Sequence, residues 1–349
     1  MIVYIITYFC ILLLIVLYHS KQFFKSSMLL YFAGAILIFV AGLRFLVGTD
    51  YIHYANSYHI YLSRSFDSFS FLAQPGLTIT ARIASLIYDD YASWFFLMSV
   101  ITIVPVVYSV KNYSISPAFS ILLFVVLGCW HFSFNLVKQT AAASIILLGY
   151  PAIRDKNFKK WVIVCLLGAL FHFSAILMIP VYFLAAGRTS KKTIGTTIAF
   201  GLFIFFFYDR LFDVASFLKR GENLVSIHSG TRNDSVNILR VLVNLIPLLL
   251  FVLFRREYRF DDSDLEAMFN MSLLNGALNI GTMNSIYIYR FCVYTNIFNI
   301  LFIPMMLSKL KSSNRRIITV LLTVFYTAFW LYDLNKGSTT AVFHWIFER

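Results

Sequence analysis

Residues 2–18 read IVYIITYFCILLLIVLY, an apolar run without a single charged side chain. As a helix it is about 25 Å long, close to the ~30 Å hydrocarbon core of a bilayer. No basic stretch precedes it and no small-residue cleavage site follows it, so it reads as a retained first span rather than a signal peptide. Runs of the same character recur at 28–47, 92–110, 118–134, 138–153, 161–186, 194–208, 237–254, 267–286, 291–307 and 317–332, with a shorter mixed helix at 75–88. Across 349 residues the chain is 60% hydrophobic and only 13% charged, with a mean hydropathy of +0.77. Soluble domains carry about 25% charged residues, so this chain has too few to cover a water-facing surface. The expected fold class is all-α: a polytopic transmembrane helical bundle of about 11–13 membrane segments. No linker or repeat interrupts it, so one transmembrane domain, 1–349, is expected.

The net charge is +13. In a soluble protein that would suggest nucleic acid. Here it fits a cytoplasmic excess of Lys and Arg, and no nucleic-acid partner is expected. Six short loops hold most of it: Lys21 and Lys25; Lys111; Arg154, Lys156, Lys159 and Lys160; Arg188, Lys191 and Lys192; Arg255, Arg256 and Arg259; Lys309, Lys311, Arg315 and Arg316. One topology places all six in the cytoplasm. It sets the N-terminus outside, leaves 48–91, 135–137, 209–236 and 287–290 external, and makes 161–186 enter and leave on one side. A straight helix over 161–186 would be about 39 Å long, enough for one tilted crossing. Folded in two it becomes a re-entrant hairpin with Phe171, His172, Phe173 and Ser174 near its tip. Both readings stay open, and the charge pattern favours the hairpin.

Polar residues that apolar spans do not explain gather toward the outside. Arg44 and Asp50 lie in GLRFLVGTDYIHY, where an intramembrane arginine is costly unless paired or wet. Snorkelling to the interface competes with an anion-binding role. Asn135, Lys138 and Gln139 form a polar turn that opens a helix, and a helix N-terminus favours anions. His172 sits in ALFHFSAIL and has the chemistry of a general base. Arg290 and Arg240 carry planar forks of donors suited to phosphate. The loop 209–236 adds Arg232 among mixed charges and could close over a substrate. Tyr51, Tyr54 and Trp130 suit stacking on sugar faces or anchoring at the interface. No phosphate-binding glycine loop, HExxH, GxSxG or paired-carboxylate motif is present. Cys10, Cys129, Cys165 and Cys292 stand singly in apolar segments, which suggests neither disulfides nor zinc. No metal or other cofactor is expected.

Five pieces, in order, carry a family resemblance: LRFLVGTDYIHY (43–54), QPGLTITARIASL (74–86), NLVKQTAAASIILLG (135–149), LFHFSAILMIPVYFL (170–184) and YIYRFCVYTNIFNILFIP (287–304). They resemble the EpsG family of Wzy-like polysaccharide polymerases, which are similar to the large GT-C type membrane glycosyltransferases. The resemblance implies a metal-independent transfer of a growing glycan from undecaprenyl pyrophosphate to a sugar hydroxyl of a lipid-linked repeat unit. It implies an active site at the outer face of a bacterial inner membrane, with a flippase and a chain-length regulator as companions. By it, His172 and Asp50 map to catalytic positions, and Arg44, Lys138, Gln139, Arg290, Tyr54, Asn135 and Arg232 to substrate binding. The family usually shows Arg at position 138 and Glu at position 74. Lys138 keeps the charge without the fork, and Gln74 has no base to offer. An acyltransferase acting on surface glycans, or a flippase for lipid-linked oligosaccharide, would share some of these features.

Overall fold

The computed structural model describes residues 1–20, 26–65, 70–218, 235–258, 263–336 and 342–349. They gather into two compact units, Met1–Ile179 with Lys311–Arg349, and Pro180–Leu310. Among the described residues, regular structure is helical apart from one two-residue strand pair.

The first unit opens with α1 (Ile2–Ser20) and α2 (Ser26–Gly42). α2 ends before Arg44, so the expected span 28–47 is shorter than its apolar run. Arg44–Phe45 instead form strand β1. α3 (Tyr51–Ser63) and α4 (Pro75–Ile87) follow, so the expected external loop is largely helical. α3 is recognisable afterwards from its stripe of tyrosines. Tyr51, Tyr54, Tyr58 and Tyr61 recur at helical spacing and pack on Leu77, Ala81 and Ala84 of α4. They also meet Trp94, Phe95 and Met98 of α5 (Tyr91–Tyr113), whose first turn is capped by Asp90 accepting from Ala92 N at 2.8 Å.

α6 (Pro117–Val126) and α7 (Cys129–Asn135) replace the single expected span 118–134. The chain bends by 44° between them, at Gly128, whose φ of +79° suits glycine. α8 (Val137–Leu147) and the short α9 (Tyr150–Arg154) lead to α10 (Phe158–Ala169).

After α10 the chain reverses. A 3-10 turn over Phe173–Met178 packs back along α10, and Trp161 Nε1 donates to Met178 O at 2.8 Å. A straight helix would separate residues 161 and 178 by about 25 Å. Of the two readings of 161–186, the structure adopts the folded one. α10 itself is about 18 Å long, too short to cross a bilayer alone.

The second unit holds α11 (Val181–Ala185), α12 (Lys191–Leu218), α13 (Ile238–Leu253), α14 (Ser263–Gly281), α15 (Ile286–Asn296) and α16 (Asn299–Ser308). α12 is kinked at Phe207 and runs ten residues past the expected end at 208, into what was expected to be loop. α15 and α16 meet at 49°. Helix α14 lies against α11, α12, α13 and α16.

The chain then returns to the first unit through α17 (Ser312–Lys336) and strand β2 (His344–Trp345). β2 pairs antiparallel with β1, Arg44 opposite Trp345 and Phe45 opposite His344. Arg349 Nη1 closes this hook on both oxygens of Asp90, at 2.9 and 2.8 Å.

By length and composition, α5 and α17 suffice to cross a membrane, and the bent pairs α6–α7 and α15–α16 do so if each is one span. α1, α2, α8 and α13 are shorter apolar helices. Large apolar side chains stand exposed along α1 (Ile2, Ile6, Phe9, Leu13, Val16) and α17 (Ile317, Val320, Leu321, Val324). Apolar stripes of that size are what a lipid-facing helix presents. The protein is an α-helical membrane bundle.

Candidate active site

Four segments of the first unit converge. The first is the turn Val47-Gly48-Thr49-Asp50. Gly48 has φ +105°, and a Cβ there would lie 2.7 Å from both Asn135 Oδ1 and Phe134 O. Only glycine lets the turn approach the α7–α8 junction this closely. The second segment is that junction. Asn135 Oδ1 accepts from Thr49 N at 2.7 Å and from Thr49 Oγ1 at 3.2 Å, while Thr49 Oγ1 is also 3.1 Å from Asp50 Oδ1. Thr49 is thus the link between the Asp50 turn and the Asn135–Lys138 junction.

Lys138 stands in the first turn of α8, half-buried, with Nζ 5.8 Å from the centre of the Tyr54 ring. Its ammonium and the helix N-terminus reinforce one another as an anion-favouring end. Gln139 is buried beside it.

The third segment is the tip of the α10 hairpin. Phe171 packs on the cluster that contains Tyr51, Tyr54, Val137 and Ala141, and the hairpin lies along α8, with Gly168 against Ala142 O. His172 is half-buried, and its Nδ1 lies 2.7 Å from Ser174 Oγ. The fourth is the start of α4. Gln74 adopts a left-handed conformation (φ 52°), and Gly76 N donates to Leu170 O at 2.9 Å. A Cβ on Gly76 would sit 2.8 Å from that carbonyl oxygen. Position 74 therefore adjoins the His172 hairpin, a proximity that 97 residues of intervening chain conceal.

The sequence model of the EpsG family matches residues 27–344, spanning all five quoted motifs. The chain belongs to the EpsG family. That makes it a Wzy-like polymerase of polysaccharide synthesis, a glycosyltransferase-like membrane enzyme. No curated relative and no solved structure matches it.

Several expected ligands of this EpsG chain have other duties. Arg44 is 2% exposed. Its Nε donates to Val47 O at 3.3 Å, Nη2 to Phe134 O at 3.3 Å, and Nη1 to Ala41 O. The rings of Phe95 and Phe134 flank the guanidinium at 4.8 and 5.0 Å. Neither snorkelling nor the expected anion contact describes this geometry. The guanidinium faces backbone carbonyls and rings, and it binds the end of α2, the Gly48 turn and α7 together. Trp130 and Tyr51 are not open stacking platforms either: both are buried, with Trp130 Nε1 on Leu37 O and Tyr51 stacked on Phe95 at 4.6 Å. Asp89 accepts from Tyr58 OH at 2.9 Å, and Asp90 is bound by Arg349.

Arg290 belongs to the second unit, half-buried in α15, and Arg240 lies in the first turn of α13. Arg232, with Lys219, Arg220, Glu222, His228 and Asp234 of the same expected loop, lies outside the described residues. Ser174, the partner of His172, was missed because a serine two residues from a histidine is too common to stand out.

Proposed function

We propose that this EpsG polymerase transfers a growing glycan from undecaprenyl pyrophosphate to a sugar hydroxyl of the next lipid-linked repeat unit. The reaction takes place at the outer face of the bacterial cytoplasmic membrane, within one transmembrane domain of GT-C character. The observation that carries this reading is the meeting of Thr49-Asp50, Asn135, Lys138 and the His172 hairpin within the first unit.

The chemistry assigned to these residues follows from the reaction. The acceptor O–H must lose its proton as the new C–O bond forms at the donor's anomeric carbon. The bond from that carbon to pyrophosphate breaks, and charge grows on the leaving oxygen. His172 is the proton acceptor. In the tautomer that donates from Nδ1 to Ser174 Oγ, its basic lone pair lies on Nε2. Asp50 is the second candidate base. Lys138 offsets the charge of the leaving pyrophosphate in the first unit, and Arg290 is the candidate pyrophosphate ligand of the second. Asn135 lines the substrate, the buried Tyr54 and Gln139 back the Lys138 end of α8, and Arg44 keeps the Asp50 turn in place. Cationic side chains supply the stabilisation of the leaving group, so the mechanism routes no step through a metal.

The test is the glycan ladder of cells carrying His172→Ala or Lys138→Ala, with membrane insertion confirmed by blot. Ladders collapsed to a single repeat on the lipid carrier support the polymerase reading. Wild-type ladders in both variants refute the site, and full-length glycan lacking an acyl group would indicate the acyltransferase instead.

A further inference from the structure

Helix α14 carries amides where an apolar helix in lipid should avoid them. Asn275 and Asn279 are fully buried, one turn apart on the same face. Polar side chains at such depth are costly unless they bond to one another. Asn279 Nδ2 donates to Asn275 O at 2.8 Å and lies 3.2 Å from Asn275 Oδ1. Facing them, α15 is fastened at two points. Tyr289 OH donates to Asn279 Oδ1 at 2.9 Å and accepts from Asn244 Nδ2 at 3.1 Å. Thr295 Oγ1 donates to Asn275 Oδ1 at 3.0 Å. The two points bracket Arg290, which follows Tyr289 directly and precedes Thr295 by five residues.

Apolar contacts in lipid fix the rotation of a helix weakly, because lipid tails offer much the same surroundings as a neighbouring leucine. Directional hydrogen bonds do fix it. With Tyr289 anchored to α13 and α14, the 3-10 turn Arg290–Cys292 starts from one defined azimuth. We propose that Asn275, Asn279, Tyr289 and Thr295 are a positioning ladder for Arg290, holding its guanidinium in one orientation as a ligand for a lipid-linked pyrophosphate. The ladder residues do not touch substrate. This rests on the polymerase reading and on Arg290 as its pyrophosphate ligand.

A double-mutant cycle tests it, using full-length protein in liposomes and undecaprenyl-pyrophosphate-linked repeat units. Tyr289→Phe removes one oxygen atom. It should raise KM for the lipid-linked donor about tenfold with kcat within about threefold, since small misplacements of a binding group are costly. The unfolding midpoint should fall by a few degrees, because two buried bonds are lost, and by the same amount in the Arg290→Lys background. In an Arg290→Lys background the same change should add less than about twofold, because the group being aimed has lost its fork. Equal effects in both backgrounds, or an unchanged KM in Tyr289→Phe, overturn the ladder and leave the polymerase reading intact. If Tyr289→Phe does not accumulate, Asn244→Ala removes one of the two bonds to the same hydroxyl and is judged by the same cycle. If Arg290→Lys itself has wild-type kinetics, Arg290 is not the pyrophosphate ligand, and the ladder proposal falls with that assignment.

Discussion

Gly48→Ala is the sharpest perturbation of the proposed site, because a single methyl group meets two oxygens. At φ +105° an alanine is strained by roughly 1–3 kcal/mol. Its Cβ would lie 2.7 Å from Asn135 Oδ1 and from Phe134 O, well inside ordinary van der Waals separation of about 3.5 Å. The turn must therefore retreat from the α7–α8 junction by several tenths of an ångström. The 2.7 Å bond from Thr49 N to Asn135 Oδ1 lengthens, and the 3.2 Å bond from Thr49 Oγ1 passes beyond useful range. Two hydrogen bonds weakened at about 0.5–1.5 kcal/mol each bring the total to about 2–6 kcal/mol. Set against a typical stability of about 5–15 kcal/mol, that leaves a folded protein with a displaced Asp50. The assay pairs a thermal melt in detergent with the in-cell glycan ladder. The midpoint should fall by several degrees and the ladder should shorten to one or a few repeats. Gly195→Ala is the control: it lies in α12 with open space at the Cβ position and should be neutral or slightly stabilising. A Gly48→Ala protein with a wild-type melt and ladder would refute both the strain and the role of the turn.

Further outcomes follow from the same geometry. Lys138→Ala should lower the polymerisation rate about 10²-fold with an unchanged melt, whereas Lys138→Arg should retain most of the rate; initial rates in liposomes decide it. Arg44→Lys should behave differently, losing forked bonds and ring contacts and so destabilising the fold by about 2–4 kcal/mol, seen as a depressed melt. Trp330→Phe removes the 3.0 Å donation to His131 Nδ1 and should cost about 1 kcal/mol of stability, read by the same melt. The Glu348 carboxyl is held below its usual range by Trp345 N–H and then by His344. A carboxyl depressed in the folded state stabilises above its unfolded pKa and loses that contribution as pH falls through the folded value. Docking of the β2 hook, followed by Trp345 fluorescence in a variant with the other tryptophans replaced, should weaken on acidification. Glu348→Gln should abolish that dependence.

The membrane bundle was legible because apolar runs of span length have few other uses, and the basic loops pointed to the reversal at 161–186. Broken spans were not legible. Gly128 and the 297–298 junction sit inside continuous apolar runs, where composition is blind to a bend of 44° or 49°. Helix α3 was hidden because Tyr51, Tyr54, Tyr58 and Tyr61 alternate with His53, Asn56 and His59, giving a mean polarity that resembles a loop. At the site, Asp50, Asn135, Lys138 and His172 could be picked out by the cost of polar groups among apolar ones. Their grouping could not, since it depends on Thr49 and on backbone contacts such as Gly76 N to Leu170 O, which no residue pattern encodes.

Arg44 and Lys138 show why cost alone does not assign a role. Both are cations beside apolar helices, and both carry the same sequence signal. Arg44 has five donors in a plane, and three of its nitrogens are used on carbonyls that helix ends and a tight turn leave without partners. A lysine cannot serve three carbonyls in that geometry between two rings. Lys138 has a compact ammonium on a flexible stem, half-buried at a helix start, where a single anion is its natural partner. The side chain with directional donors builds the frame, and the one with a point charge is the one we propose for substrate. In this protein the arginine nearest the proposed chemistry holds the scaffold of the site, and Lys138 is the cation of the first unit that we propose meets substrate.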